Sequence, residues 1–229
     1  MTPQSWTRGS RCSIRVSRKQ AVVRILGGVA TLRPYVPADR PDVYEVCVRT
    51  GAGGKDARGQ FSNDDLLPDI YAGPYVSFAP EFAWVVVQES QVLGYLVGVP
   101  DTALFVDWHT RTWMPELAAK YWSSQLSPAE HELVMAGLAP EQMLIAELAD
   151  FPAHLHINLL PELQGLGFGR RLIEEFASAL RGRGVPGVHL GVDPANEAAL
   201  SFYQRLGFLP LPSGSADLPI LGRRIGADS

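Results

Sequence analysis

The residues best suited to chemistry fall in two stretches of the C-terminal half. The first runs His154-Leu-His-Ile-Asn-Leu-Leu-Pro-Glu-Leu-Gln-Gly-Leu-Gly-Phe-Gly-Arg170. A β-rich run ends at Pro161, and a short loop with alternating glycines opens into a helix whose Leu172, Ile173, Phe176 and Leu180 share one face. Gly165, Gly167 and Gly169 free the backbone for close approach to a ligand. Amides from Gly165 to Arg170 at the start of a helix, with the dipole behind them, suit an anion such as a pyrophosphate. Glycines spent only on tight helix–sheet packing are the plainer reading. A dinucleotide fingerprint would need glycine at 170, where Arg170 stands. The second stretch is Asn196-Glu-Ala-Ala-Leu-Ser-Phe-Tyr203-Gln-Arg-Leu-Gly-Phe208, in which Asn196, Ala199, Leu200 and Tyr203 fall on one helical face. Small Ala199 leaves room for a ligand between Asn196 and Tyr203, and Gly207 is set to close the helix. Tyr203 is either a proton donor or a plain core aromatic. His154 and His156 share one strand face, with Asn158 beyond them. They can line a pocket or relay protons. A metal would need a third convergent ligand, so none is expected.

The elements that must hold these residues can be read from periodicity. Ala30–Tyr35 reads as a first strand and Asp39–Val48 as a helix. The glycine-rich Thr50–Asp56 that follows is not a phosphate loop, because Asp56 rather than Ser or Thr follows Lys55 and a helix precedes it. Phe82–Gln88 and Val92–Val99 form an antiparallel hairpin across Glu89-Ser90-Gln91. About 101–150 the pattern turns helical and aromatic, with Trp108, Trp113, Tyr121, Trp122 and a capping box at Ser127-Pro-Ala-Glu130. Strand Ala153–Leu160, helix Gly167–Leu180, strand Val188–Val192, helix Asn196–Leu206 and terminal strands in Phe208–Ile225 complete the chain. Early antiparallel strands and a late βαβα run give an α/β fold on a mixed central sheet flanked by helices. A helical insertion separates the third and fourth strands. Pro161 removes a ladder donor, so the strand before the loop is expected to splay from its neighbour.

At 229 residues and a net charge of −4, one domain with a sizeable core is expected, and no basic field points to nucleic acid or anionic lipid. Residues 1–29 are a basic N-terminal extension, and 30–229 the domain. Arg8, Arg11, Arg15, Arg18, Lys19 and Arg24 carry that basicity, leaving the remaining 14 basic and 24 acidic side chains at −10. The apolar run Ala21–Leu32 is broken by Arg24 and makes a poor secretory signal, and no run suits a membrane span. Cys12 and Cys47 are too few for a disulfide framework, and a cytoplasmic protein is expected.

Taken together, Gln164-Gly-Leu-Gly-Phe-Gly169 and Asn196…Phe-Tyr203…Gly207-Phe208 resemble the pyrophosphate loop and following helix of the GNAT superfamily of N-acetyltransferases. Leu32-Arg33-Pro34 with the Asp39 helix is similar to the usual GNAT opening. Pro152–Asn158, Gly73-Pro74-Tyr75 and the tryptophan-rich insertion are most like the acetyltransferase-like C-terminal domain of O-GlcNAcases, of which this chain would be a stand-alone relative. The resemblance implies a GNAT fold and acetyl-CoA as co-substrate in a V-shaped opening. Leu159 and Leu160 main-chain groups would meet the pantetheine, with Asn196 beside it. Gln164, Gly165, Leu166, Gly167, Phe168, Gly169 and Arg170 would hold the pyrophosphate. Tyr203 would also touch the cofactor, as the acid for the departing thiolate. Several relatives use a Glu as base before the loop; Phe151–His156 offers none, which leaves Asp150, named here with Tyr203 as catalytic, and the two histidines.

The function expected is acetyl transfer to a primary amine on a small molecule or peptide. A catalytically silent acetyl-CoA-binding module is the alternative, favoured by the missing Glu. A peptide-recognition domain built on the aromatic insertion is a third reading. The insertion, together with the Gly51–Gly59 loop, is expected to border the acceptor opening, unless its aromatics only pack an annex.

Overall fold

The computed structural model describes residues 22–25, 28–122 and 125–226. Eight strands, β1 (Val22–Ile25), β2 (Gly28–Pro34), β3 (Ala83–Gln88), β4 (Gln91–Val99), β5 (Ala153–Leu159), β6 (Gly187–Gly191), β7 (Leu209–Pro210) and β8 (Ile220–Arg224), form one sheet. Its order is β1-β2-β3-β4-β5-β6-β8-β7, antiparallel throughout except where β5 meets β6. The mixed sheet flanked by helices is as expected, with one addition at its edge. Val22–Ile25 pairs with β2, so the tail end of the basic N-terminal segment is part of the sheet. That strand moves the helical insertion from between the third and fourth strands to between β4 and β5. Cys12 and the basic residues before Arg24 lie outside the described residues.

The central strands are continuous apolar runs because both faces are covered. Residues Val92 to Val99 of β4 are all buried. Helix α1 (Arg40–Arg49) covers one face, joined by α2 (Leu66–Tyr71) and α3 (Gly73–Phe78). Its start is fixed by Arg33, whose guanidinium forks onto both carboxylate oxygens of Asp39 at 2.6 and 2.7 Å. The opposite face takes α7 (Phe168–Arg181), whose Leu172, Ile173, Phe176 and Leu180 are buried as the periodicity predicts. Each such side chain contributes about 1.5–3 kcal/mol of burial. Helix α8 (Glu197–Arg205) follows β6 and ends in a Schellman turn. There Phe208 N–H donates to Tyr203 O, Gly207 N–H donates to Gln204 O, and Gly207 sits at φ +81°.

The insertion holds α4 (Thr102–Trp108), a π turn at His109–Trp113, α5 (Met114–Tyr121) and α6 (Pro128–Gly137). The π turn lies one turn before Pro115, which has no N–H to continue the α ladder. Ser127 and Glu130 cap α6 reciprocally, as the sequence predicts. Leu117, Tyr121 and Val134 pack with Leu66 and Ile70 of α2 into a second, smaller core. Asp69 ties the annex down, accepting from Tyr44 Oη, Lys120 Nζ and Tyr121 Oη at 2.7–2.9 Å.

The feature that positions the site is the parallel step. β5 and β6 pair only at Ala153↔Val188 and His154↔His189, then diverge towards Pro161. Along its other edge β5 stays paired with β4 from His154 to Leu159.

Candidate functional site

The gap left between β5 and β6 opens a cleft of about 540 Å³. In an antiparallel ladder the polar groups of successive residues alternate between the two sides. Leu160 N–H donates to Leu93 O at 3.0 Å, so the main-chain groups of Ile157 and Leu159 turn away from β4 and towards the gap. Leu159 O there accepts from Gln164 Nε2 at 3.1 Å. The other member of the expected pair is corrected: Leu160 is fully buried, its N–H is spent on β4, and it does not line the cleft.

At one end of the cleft lies the glycine loop. Gly165 and Gly167 stand at φ +75° and +81°, and a Cβ on either would enter open space. Gly167 is the residue before α7, whose first internal bond is Arg171 N–H to Gly167 O at 3.2 Å. The amides of Phe168, Gly169 and Arg170 therefore lack partners within the helix and face its N-terminal end. Together with the dipole they favour an anion at this end of the cleft. Gly169 differs from its neighbours. A Cβ there would meet the Phe202 ring at 3.0 Å and Leu159 Cδ1 at 3.5 Å, so this glycine serves the packing of α7 against α8. Phe168 is a core side chain at 0% exposure and Leu166 faces solvent, so only their main chains remain near the loop.

Helix α8 forms the opposite wall with Asn196, Ala198, Ala199, Phe202, Tyr203 and Arg205. Asn196 Oδ1 accepts from Ala199 N–H at 3.0 Å and so caps the helix, a second use the spacing argument had not assigned. Tyr203 is 8% exposed, at the cleft wall, and packs on Phe202 and Phe208. Burial pushes its phenol well above the ordinary range, so it keeps its proton at neutral pH.

The cleft passes through the sheet to the α1 face, where Thr50 and Gly54 line it beside Asn158. Asn158 Nδ2 donates to Thr50 Oγ1 at 2.6 Å. The glycine-rich loop thus borders the opening through Gly54. Among the described residues, none of those lining this cleft comes from 101–150. Behind Asn158 on the same face, Tyr75 Oη lies 2.8 Å from His154 Nε2 and 2.9 Å from His156 Nε2. Thr102, the first residue of α4, lies 2.8 Å from His154 Nδ1. The insertion therefore buttresses the histidines from within.

Asp150 requires correction as a catalytic residue. Its side chain is 56% exposed and pairs with Arg224 at 3.1 Å. It also sits at the entry to β5, whereas the cleft lies at the exit, roughly 25 Å on at ~3.3 Å per residue. Cleft-lining residues missed in the sequence include Thr50, Ile157, Phe202 and Arg205. Only Ile157 had a local signal, the alternation of a strand that splays. Among the described residues no cluster of three or more His, Cys, Asp or Glu side chains is arranged to hold a metal ion.

Comparison with known proteins gives a consistent picture. The sequence model of the acetyltransferase (GNAT) family matches residues 56–208. The chain is 27% identical over 204 residues to protein O-GlcNAcase of Rattus norvegicus, covering 86% of this chain but 22% of that relative, so it spans about a fifth of that length. It is 31% identical over 101 residues to the ribosomal protein bS18-alanine N-acetyltransferase of Salmonella typhimurium, covering 44% of this chain and 64% of that enzyme. The crystal structure of SsHAT superposes with a TM-score of 0.79 at 40% identity, covering 86% of this chain and 98% of that one.

Proposed function

Because the chain belongs to the GNAT family of acetyltransferases, we propose that it transfers the acetyl group of acetyl-CoA directly to a primary amine on a small molecule or peptide. The observation that carries this reading is one cleft combining a helix N-terminus, two left-handed glycines and a protonated, buried phenol. In it, the main-chain amides of Gly165, Gly167, Phe168, Gly169 and Arg170 hold the pyrophosphate, with the Arg170 side chain adding charge, whereas the expected amides of Gln164 and Leu166 already donate to Pro161 O at 3.1 Å and Leu163 O at 3.4 Å. Ile157 and Leu159 offer main-chain partners to the pantetheine amides, in the way a further strand would. Asn196 keeps its amide nitrogen for the same arm while its oxygen caps α8.

Chemistry follows from that posture. The amine nitrogen forms a bond to the thioester carbonyl carbon, the carbon–sulfur bond breaks, and Tyr203 gives its proton to the departing sulfur. The nitrogen must also lose a proton. The same proposal sets the protein in the cytoplasm, a reading supported by two cysteines in 229 residues.

The experiment is a thiol-release assay with acetyl-CoA and a panel of primary amines, beside calorimetric titration of acetyl-CoA. Binding with amine-dependent thiol release is expected. A second reading has one observation in its favour: among the described residues, no carboxylate lines the cleft. Acetyl-CoA binding without turnover of any amine would make the protein a catalytically silent binding module.

A further inference from the structure

The hydrogen bonds behind Asn158 have a direction, and it can be read from the far end. Thr102 Oγ1 lies 2.6 Å from the carbonyl oxygen of Pro152, which can only accept, so the single hydroxyl hydrogen points there. Thr102 can then only accept at its 2.8 Å contact with His154, so His154 Nδ1 carries the hydrogen. Burial holds both His154 and His156 below the ordinary imidazole range, so each ring has one N–H. His154 Nε2 is therefore a bare lone pair, and Tyr75 O–H donates to it at 2.8 Å. Having spent its hydrogen, the Tyr75 oxygen accepts from His156 Nε2–H at 2.9 Å. His156 Nδ1 is left as a bare lone pair on a half-buried ring, against the edge of Tyr71 at 5.7 Å between ring centres. It stands two residues before Asn158 on the same strand face, about 6–7 Å from that cleft-lining side chain.

We infer that His156 Nδ1 receives the proton of the acceptor amine, and that Tyr75, His154, Thr102 and the Pro152 carbonyl orient it for that purpose. The inference rests on the acetyl-transfer reading above. In the balanced step, the amine lone pair makes the carbon–nitrogen bond and the carbon–sulfur bond breaks. The nitrogen's proton passes to His156 Nδ1, and the Tyr203 proton passes to sulfur. His156 later returns its proton to solvent and Tyr203 regains one. The positive charge on His156 is shared through its Nε2–H with Tyr75 and His154. The chain ends on an acceptor-only carbonyl, so it stabilises and orients without conducting a proton away. His156 is the catalytic residue here, and Tyr75, His154 and Thr102 are positioning residues.

Two measurements on the full chain test this. Imidazole ¹⁵N NMR should find the hydrogen on Nε2 of His156 and on Nδ1 of His154; hydrogen on Nδ1 of His156 would overturn the inference whatever the activity. In the thiol-release assay, His156→Gln should lower kcat by roughly 10²- to 10⁴-fold with acetyl-CoA affinity unchanged. Tyr75→Phe keeps the ring and should slow kcat by about tenfold, again with affinity intact, and serves where His156→Gln does not fold. Equal kcat in wild type and both variants overturns this inference alone. Wild-type binding of acetyl-CoA with no turnover of any amine overturns the acetyl-transfer reading, and this one with it.

Discussion

Tyr203 separates enzyme from binding module more sharply than any other side chain. A phenol that protonates the departing sulfur acts in the transition state, so its removal should lower kcat and spare ground-state affinity. Tyr203→Phe is expected to lose roughly 10²-fold in kcat, the low end of general-acid effects because a thiolate leaves readily. Calorimetry should find acetyl-CoA affinity within about twofold of wild type, roughly 0.4 kcal/mol. Retention of full activity would make the ring merely structural. That Tyr203, Asn196, Gly165 and Gly167 could meet at one cleft was legible in the sequence because their spacing is local to one helix or one loop. Asp150 was misread for the opposite reason: nearness along the chain hid that it enters the strand at the wrong end. The Asn158–Thr50 bond spans 108 residues and the Thr102–His154 bond 52, and no local pattern announces either.

At the scale of elements, the loop before α7 holds glycines with two different duties, and substitution should part them. Gly167→Ala keeps the loop in a left-handed conformation that costs a Cβ about 1–2 kcal/mol, and sets a methyl in the open space of the cleft. Acetyl-CoA affinity should fall along with thermal stability. Gly169→Ala instead drives its methyl into Phe202, overpacking α7 against α8 by about 1–3 kcal/mol. Its melting temperature should drop with affinity little changed. If both variants lose affinity equally, the division of labour is wrong. Most elements from Ala30 onwards could be read from period and punctuation, but α2 and α3 were not, and the splay of β5 expected at Pro161 begins already after His154. The edge strand Val22–Ile25 was hidden by the basic residues preceding it. The insertion's helices were visible, but their docking on α2 and on the histidine chain was not, since that depends on which faces meet.

The whole molecule carries an acid liability in its buried imidazoles. Burial lowers His109 and His156 to about 4, and lowers His154 and His189 as well. The unfolded chain takes up these protons near pH ~6.5 while the folded chain does not. Stability is thus fully present above that value and falls as pH drops towards 4, by about 1.4 kcal/mol per unit for each histidine that stays neutral. Melting temperature should therefore fall steeply between pH 6.5 and 5, and a flat profile there would contradict the buried neutral state. The parallel step of the sheet has its own consequence at this scale. With two residue pairs joining β5 to β6, the sheet is two ladders stitched by a short seam. Amide hydrogens of β6 and β8 should then exchange with solvent sooner than those of β3 and β4. A cofactor lying along the seam would act as a suture, and acetyl-CoA should slow exchange in β6 and β8 more than in the strands before the gap.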